Sequence, residues 1–216
     1  MASSIPFECV KVVKGDSSSG KSERLYFGGS FNPIHHGHLI CARAAAEAAG
    51  FGKVALVPSH RPPHKPEAKD LASAKERCQM CQLVAADSRF YEVDELEIGR
   101  NGPSYTIETA RELRLRGIKR VNWLIGADML AFLPQWHEAE KLIQEVNFIV
   151  MARPGWEFDW EGLAPKFRKL KSQVVKTPLI DISATEIRER VRRGLSIEYL
   201  VPEAVGDYIR KRGLYR

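Results

Sequence analysis

The stretch RLYFGGSFNPIHHGHL, residues 24–39, combines a short apolar run, two adjacent glycines and three histidines, and an alanine-rich segment follows it. The run at its start has the composition of a buried strand, and the glycines allow a ligand to approach the backbone closely. The first turn of a helix presents unpaired amides and a partial positive charge. The stretch therefore predicts a strand, a turn and a helix that together bind phosphate.

The rest of the chain repeats this alternation of short β-type runs and longer segments of helical period. The predicted strands are 24–28, 53–57, 91–98, 120–125, 147–152 and 174–180; the predicted helices are 37–49, 73–86, 104–116, 137–145, 159–171, 184–193 and 202–212, with a short helical stretch from Asp128. Nearly continuous apolar strands indicate a parallel sheet that is buried on both faces. We expect an α/β, Rossmann-like doubly wound sheet with helices on both faces, which binds its ligand beyond the carboxyl ends of the strands.

The composition is that of a globular protein, with 216 residues of which 44% are hydrophobic and 28% charged. We predict a single domain over residues 24–216, whose residues 182–216 form a small helical part, preceded by a flexible extension, 1–23. The longest apolar stretches are far below the roughly 20 residues that span a bilayer. The four cysteines suit free thiols in a reducing compartment, so we expect a cytoplasmic protein without membrane association.

The net charge of +6 is concentrated in the last quarter of the chain. Residues 165–216 hold 13 Lys and Arg against 6 Asp and Glu. A basic end of this kind suits nucleic acid, an anionic small molecule or a solvated helix face. The charge alone does not choose among these three.

Two short patterns suggest chemistry that their context does not support. Residues 15–22 match the phosphate-binding pattern GxxxxGK[ST], but a strand-like run follows within two residues where that pattern needs a helix. We interpret them as a flexible linker.

Cys78 and Cys81 form a CxxC inside a predicted helix, and no second pair completes a zinc site. We interpret both thiols as core residues.

The histidines carry the first chemical hypothesis. His35 and His38 are three residues apart at a helix start, so both imidazoles can face one anion and stabilise charge that develops on it. Capping or core packing is the alternative role for any one of them. We expect His36 to be the bystander of the three.

A second candidate segment is DISATEIR, residues 181–188. Ser183 and Glu186 have the spacing of a capping box, which by itself explains this serine as a helix start. Thr185 and Arg188 add a hydroxyl and a guanidinium beside the same free amides, in the most basic part of the chain. We interpret the segment as a second polyphosphate contact.

These two segments also carry a family resemblance. GGSFNPIHHGH resembles the GxFxPxHxGH signature of the HxGH nucleotidyltransferases, and ISATEIR resembles their C-terminal signature. The chain is similar to one branch, the bacterial nicotinate-mononucleotide adenylyltransferases, over about residues 24–212. The further matching segments are PPHK at 62–65, GPSYT at 102–106, GAD at 126–128, LPQW at 133–136 and RPG at 153–155.

The resemblance implies transfer of AMP from ATP to nicotinate mononucleotide, with Mg²⁺ carried by the ATP phosphates and no metal ligands from the protein. The catalytic residues that it implies are His35, His38 and Arg188. The implied ATP site comprises Gly28, Gly29, Ser30, Phe31, His35, His38, Gly126, Asp128, Arg153, Ile182, Ser183, Thr185 and Arg188, with Asp128 near the ribose. The implied mononucleotide site comprises Ser30, Phe31, Lys65, Tyr105, Thr106 and Trp136. Trp136 would stack on the pyridine ring, and amides around Thr106 and Trp136 would receive its carboxylate.

Several alternatives stay open at this point. Trp136 also suits the core, and Lys65 also suits a solvated surface. A related adenylyltransferase would act on nicotinamide mononucleotide or on phosphopantetheine, although enzymes of the second kind usually have threonine where this chain has His35. A nucleic-acid-binding module or a non-catalytic nucleotide sensor would explain the basic end, but no aromatic residue interrupts Arg188 to Arg193. A class I aminoacyl-tRNA synthetase would need a longer chain and a KMSKS-like loop.

Overall fold

The computed structural model describes residues 24–63 and 70–216, and it contains a six-stranded parallel sheet of order β3-β2-β1-β4-β5-β6. The strands are β1 (Arg24–Gly29), β2 (Lys53–Pro58), β3 (Tyr91–Val93), β4 (Asn122–Gly126), β5 (Asn147–Ala152) and β6 (Val174–Lys176). The chain winds outward from β1 in one direction and then returns to continue from β4 in the other. This is the doubly wound order of a Rossmann-like fold, whose ligand crevice lies where the strand order reverses, between β1 and β4.

Six α-helices connect and cover the strands of the described chain. They are α1 (His36–Ala48), α2 (Ala74–Ala86), α3 (Thr106–Leu115), α4 (Ala139–Glu145), α5 (Ala184–Arg192) and α6 (Glu203–Arg212). Three 3₁₀ segments accompany them, Ala127–Met129, Leu133–Gln135 and Pro165–Gln173. No helix among the described residues is long and apolar enough to cross a membrane.

Each face of the sheet has its own apolar core, as the sequence predicts for a buried parallel sheet. Tyr26 points to one side, where it packs with residues of α3 and α4. Its neighbours Leu25 and Phe27 point to the other side and pack with residues of α1, α2, α5 and α6. Because successive strand residues face opposite ways, both faces of β1 require apolar side chains.

The prediction of a helix over 159–171 is wrong. Trp156, Phe158 and Trp160 pack against one another there, with a stacked pair at 5.5 Å between ring centroids. The Asp159 carboxylate then accepts two backbone N–H groups, those of Glu161 and Gly162, in a turn. Aromatic packing and this turn take the place of helical hydrogen bonds, and only the 3₁₀ segment Pro165–Gln173 follows.

Two predicted strands are shorter than expected. The strand predicted over 91–98 ends at Val93, because the Asp94 carboxylate accepts the Leu96 amide and turns the chain. The strand predicted over 174–180 ends at Lys176, two residues before Pro178, which has no N–H to donate to a sheet. Both endings leave loop residues at the carboxyl edge of the sheet.

Cys78 and Cys81 lie in the buried face of α2, as their three-residue spacing predicts. Burial raises the pKa of the Cys78 thiol to about 11 and also raises that of the Cys81 thiol well above its usual value. Thiols with such pKa values are poor nucleophiles and poor metal ligands at neutral pH. The GxxxxGK[ST] pattern and the predicted extension 1–23 lie outside the described residues.

Candidate active site

A cavity of about 1080 Å³ opens at the carboxyl ends of the central strands, at the reversal of strand order. Most residues predicted for the site line this cavity. They are Gly28, Gly29, Ser30, Phe31, His35, His38, Tyr105, Thr106, Gly126, Asp128, Trp136, Arg153, Ile182, Ser183 and Thr185. The fold thus brings together segments that lie more than 150 residues apart in sequence.

His35 and His38 form a stacked pair at the start of α1. Their ring centroids are 3.7 Å apart and their planes differ by 25°. His35 is also the N-cap of α1, because its Nδ1 accepts the His38 backbone N–H at 3.3 Å. The alternative capping role and the predicted site role therefore belong to the same side chain. His36 does not line the cavity.

The protonation state of His35 follows from its surroundings. The residue is 5% exposed, and burial, aided by the nearby His36, lowers its pKa to about 4. The imidazole is therefore neutral at pH 7. Since its Nδ1 acts as an acceptor, its proton resides on Nε2, which can donate a hydrogen bond to an anion.

The two glycines at the end of β1 make room for aromatic side chains of the protein itself. A Cβ atom on Gly28 would overlap the Trp123 ring, and one on Gly29 would lie 3.0 Å from the Phe31 ring. Phe31 is 1% exposed, packs edge-on against His38 and adopts a left-handed backbone with φ of 45°. Internal packing therefore requires glycine at both positions of the predicted turn.

Tyr105, Thr106 and Trp136 lie together at another part of the cavity wall. The Tyr105 ring stacks on His137 at 4.3 Å between centroids. Thr106 is the first residue of α3, so its amide has no intrahelical acceptor. The Trp136 amide, in contrast, donates to the Leu133 carbonyl at 3.1 Å. Of the two amides expected to receive a carboxylate, that of Trp136 is already engaged in this conformation.

The sequence interpretation missed a buried carboxylate in this wall, that of Glu97. Glu97 is 3% exposed, and it accepts a hydrogen bond from the Thr109 hydroxyl at 2.5 Å. Burial raises its pKa, while hydrogen bonds from Thr109 and Ser104 and the charge of Arg100 oppose that increase. The signal in the sequence was its place near the carboxyl end of the predicted strand 91–98, the edge at which ligand-binding residues of parallel sheets concentrate.

The C-terminal segment contributes a helix start, as predicted. The Ser183 hydroxyl caps α5 by accepting the Glu186 amide at 3.1 Å, and Thr185 lines the cavity. The reciprocal bond from the Ser183 amide to the Glu186 side chain, which would complete the predicted capping box, does not form among the described contacts. A complete capping box forms instead at Ser73 and Glu76, at the start of α2.

Arg188 is the predicted catalytic residue that the structure places away from the cavity wall. Its Nε contacts the Asp70 carboxylate at 2.7 Å, and its Nη1 donates to the Asn32 carbonyl at 3.0 Å. The pattern ISATEIR indicates that Arg188 lies near the other site segments, and its contact with Asn32 agrees with that. The pattern could not reveal that the Asp70 carboxylate pairs with the Arg188 guanidinium. Lys65, predicted to contact phosphate, lies outside the described residues.

A doubly wound sheet with paired histidines at the first helix start, and with a cavity at its point of reversal, defines a nucleotide-binding α/β protein. A family model described as cytidylyltransferase-like matches residues 26–190. Proteins named as probable nicotinate-nucleotide adenylyltransferases are 38% identical in Herpetosiphon aurantiacus, over 87% of this chain and 96% of the relative, and 40% identical in Moorella thermoacetica, over 88% and 89%.

Solved structures support the same fold. The nicotinic acid mononucleotide adenylyltransferase of Plasmodium falciparum in complex with NaAD superposes with a TM-score of 0.66 at 20% identity, over 90% of this chain and 98% of that one. The same enzyme in complex with APC gives a TM-score of 0.64 at 19% identity, with the same shares of both chains. The chain belongs to the cytidylyltransferase-like family and, within it, to the nicotinate-nucleotide adenylyltransferases.

Proposed function

We infer that this protein transfers AMP from ATP to the 5′-phosphate of nicotinate mononucleotide, which yields nicotinate adenine dinucleotide and pyrophosphate in NAD biosynthesis. The observation that carries the inference is one cavity lined by the signature segments of both chain halves. The chain also matches a relative named as a probable nicotinate-nucleotide adenylyltransferase over 96% of that relative's length. A phosphate oxygen of the mononucleotide forms a bond to the α-phosphorus of ATP. The bond from that phosphorus to the β-bridging oxygen breaks, and pyrophosphate carries away the electron pair.

This reaction needs no nucleophile from the protein, because the attacking phosphate is itself the nucleophile. The protein has to bring two anionic phosphates together and to neutralise the charge that develops between them. In our proposal, Nε2 of neutral His35 donates to the α-phosphate region, and His38 stabilises the same region from one turn further along α1. The partial positive charge at the start of α1 adds to their effect.

The rest of the ATP molecule extends from the α-phosphate in two directions. We propose that Asp128 binds the ribose, and that Gly28, Gly29, Gly126, Arg153 and Ile182 surround the nucleoside. Ser183, Thr185 and Arg188 take the β- and γ-phosphates at the start of α5. Arg188 reaches them only if its guanidinium exchanges the Asp70 carboxylate for phosphate oxygens.

The mononucleotide occupies the other end of the cavity in this proposal. Trp136 stacks on the pyridine ring, and the free amide of Thr106 at the start of α3 binds the ring carboxylate, with Tyr105 beside it. Ser30 and Phe31 contact the region where the two substrates meet. Lys65 is the further candidate for the mononucleotide phosphate.

We propose that Mg²⁺ enters bound to the ATP phosphates. The described residues include no cluster of three or more His, Cys, Asp or Glu side chains with the arrangement of a metal site. Of the described residues, Glu97 and Asp128 place carboxylates on the cavity wall, and Mg²⁺ is commonly held by substrate phosphates with one or two carboxylates. When bound, the ion neutralises charge on the phosphates.

The test is pyrophosphate release from ATP and Mg²⁺, measured side by side with nicotinate mononucleotide and with nicotinamide mononucleotide. We expect turnover with the acid and identify its dinucleotide product by mass. Turnover of the amide alone, or of neither mononucleotide, would contradict the proposed function.

A further inference from the structure

Arg77, on α2, is fully buried, and among the described residues its guanidinium hydrogen-bonds to backbone carbonyls alone. Nε donates to Ala72 at 2.9 Å, and Nη1 donates to Ser30 at 2.7 Å. Nη2 donates to both Ser59 and His60, at 2.7 and 3.0 Å. Its relative exposure is 0%, and four of the five N–H groups of a guanidinium are used.

The carbonyls that Arg77 binds belong to two loops at the cavity. Ser30 follows β1, and Ser59 and His60 follow β2, the neighbouring strand in the sheet. Ser30 and Ser59 both line the cavity. Apart from the sheet itself, one direct backbone bond joins these loop ends, from the Ser59 amide to the Gly29 carbonyl. Arg77 therefore cross-links the ends of two strands just where the cavity begins.

The loop after β2 is also connected to the opposite side of the cavity. The amides of His60 and Arg61 donate to the Ser104 hydroxyl, at 2.9 and 3.4 Å. The Ser104 amide returns a bond to the Arg61 carbonyl at 2.9 Å. A continuous chain of hydrogen bonds thus runs from the loop after β1, through Arg77 and the loop after β2, to the start of α3.

Overall stability alone explains this arrangement poorly. Among the described residues no carboxylate forms an ion pair with Arg77; burial lowers its pKa, whereas the Glu97 charge, which acts on it only at longer range, raises that pKa. Burying a cation that has no ion-pair partner in the described part of the chain carries a large desolvation cost, which an apolar side chain would avoid. What an apolar side chain cannot do is hold three loop carbonyls in a fixed relative position.

We propose that Arg77 is a positioning residue for adenylyl transfer, which holds the loops after β1 and β2 in register so that the two reacting phosphates align. The proposal rests on the proposed function. Each substrate draws most of its binding contacts from its own end of the cavity. The relative position of the two loops therefore affects chemistry more than it affects the binding of either substrate.

The variant that tests this role is Arg77→Lys, which keeps a positive charge and most of the side-chain length. A lysine ammonium has three donors on one atom and lacks the planar fork that spans the separated carbonyls. The matched control is Met80→Ala, because Met80 is also fully buried on α2 and, like Arg77, does not line the cavity, but it has no guanidinium to bind the loop carbonyls. Chemical denaturation compares the stability of both variants with that of the parent.

In steady-state assays we expect Arg77→Lys to lower kcat by about 10- to 100-fold, as a misalignment of about 1 Å does, while the KM values for ATP and for nicotinate mononucleotide change by less than about 3-fold. We expect Met80→Ala to keep kcat within about 3-fold of the parent even where it is equally destabilised. Retention of kcat in Arg77→Lys, or an equal loss in the control, would overturn the proposal.

Hydrogen exchange supplies a readout that does not depend on turnover. In Arg77→Lys the amides of residues 59–61 should exchange at least about 10-fold faster than in the parent, whereas in Met80→Ala they should change only with global stability. If the parent shows no adenylyl transfer, the proposed function fails and exchange still decides the role of Arg77. Unchanged exchange, or global unfolding of Arg77→Lys under conditions where Met80→Ala is folded, would assign the residue to stability and overturn the proposal.

Discussion

His35 and His38 share one turn of α1 but differ in what surrounds them. His35 is buried, caps the helix with Nδ1 and has a pKa of about 4. His38 is half-buried, and its ring lies edge-on to Phe27 and Phe31 at 6.1 and 5.3 Å between centroids. Because His35 also caps the helix, substituting it would disturb the helix start, so His38 is the better position at which to test catalysis by substitution.

We expect His38→Ala to lower turnover by about 10²- to 10⁴-fold while the protein stays folded, because a donor to transition-state charge is lost. Pyrophosphate release measures the effect, and a thermal melt checks the fold. His36→Ala is the matched control, since His36 is adjacent but does not line the cavity. Near-normal turnover in His38→Ala would remove His38 from the catalytic residues.

The lowered pKa of His35 predicts that stability depends on pH. In the unfolded chain this imidazole has a pKa near 6.5, whereas burial in the folded protein lowers the pKa to about 4. The stabilisation is complete above pH 6.5 and is lost as the pH falls from 6.5 to 4, with a total of about 3 kcal/mol.

Urea denaturation at a series of pH values measures this loss. We expect His35→Gln to reduce the slope between pH 6.5 and 4, whereas His60→Gln, at an exposed side chain, keeps the parent slope. Identical slopes in the parent and in His35→Gln would show that His35 does not stay neutral in the folded protein.

At the scale of elements, the N-termini of three helices form part of the cavity wall. α1, α3 and α5 all begin at its wall, with His35, Tyr105 and Ser183 as their N-cap residues. Of these three helices, α1 and α5 have a side-chain cap, whereas the N-cap residue of α3 makes no such bond. The first amides of α3 are therefore the ones most available to a ligand, which suits the carboxylate of the mononucleotide.

Binding of a carboxylate by helix amides predicts discrimination against the amide substrate. A carboxamide would turn its NH₂ group toward an N–H donor and leave both unpaired, at a cost of roughly 1 to 3 kcal/mol. We expect kcat/KM to be at least about ten times higher for nicotinate than for nicotinamide mononucleotide. Equal values in the parent would mean that the cavity recognises only the ring and the phosphate.

We expect Trp136→Ala to weaken both mononucleotides together, by about 10-fold or more, because stacking does not sense the ring substituent. The ratio of kcat/KM between acid and amide should persist in this variant. Phe132→Ala is the control, since Phe132 is an exposed aromatic on the same segment and does not line the cavity. A collapse of the ratio in Trp136→Ala would show that Trp136 itself positions the carboxylate.

At the scale of the whole molecule, a polar cluster joins the two ends of the described chain. The Asn32 side chain accepts the Tyr215 hydroxyl at 2.8 Å and donates to the Asp70 carbonyl at 3.0 Å. The Asp70 carboxylate contacts both Arg188 and Arg192, and the hydrogen bond from Arg188 lowers its pKa most. The C-terminal helices are thereby attached to the loop after β1, in which the cavity begins.

This cluster predicts a competition for Arg188. If the guanidinium leaves Asp70 to bind ATP phosphates, Asp70→Asn should tighten the binding of ATP and Mg²⁺ by about 3-fold, because a partly exposed ion pair contributes less than about 1 kcal/mol. Calorimetric titration measures the change. Glu189→Gln, which removes the other carboxylate contact of Arg192, is the control. Weaker binding in Asp70→Asn would show that the carboxylate orients Arg188 instead of competing for it.

The sequence by itself determined the parallel α/β fold, the positions of most helices and strands, and the segments in which most of the predicted site residues reach the cavity. Hydrophobic period, glycines and helix caps are local signals, and a parallel sheet brings strand ends together by its topology. The aromatic packing at Trp156, the carbonyl contacts of Arg77 and the pairing of Arg188 with Asp70 were decided only by the tertiary structure. The contacts of Arg77 and Arg188 join segments that are distant in sequence, and none of the three follows a helical or strand period, so no local pattern predicts them.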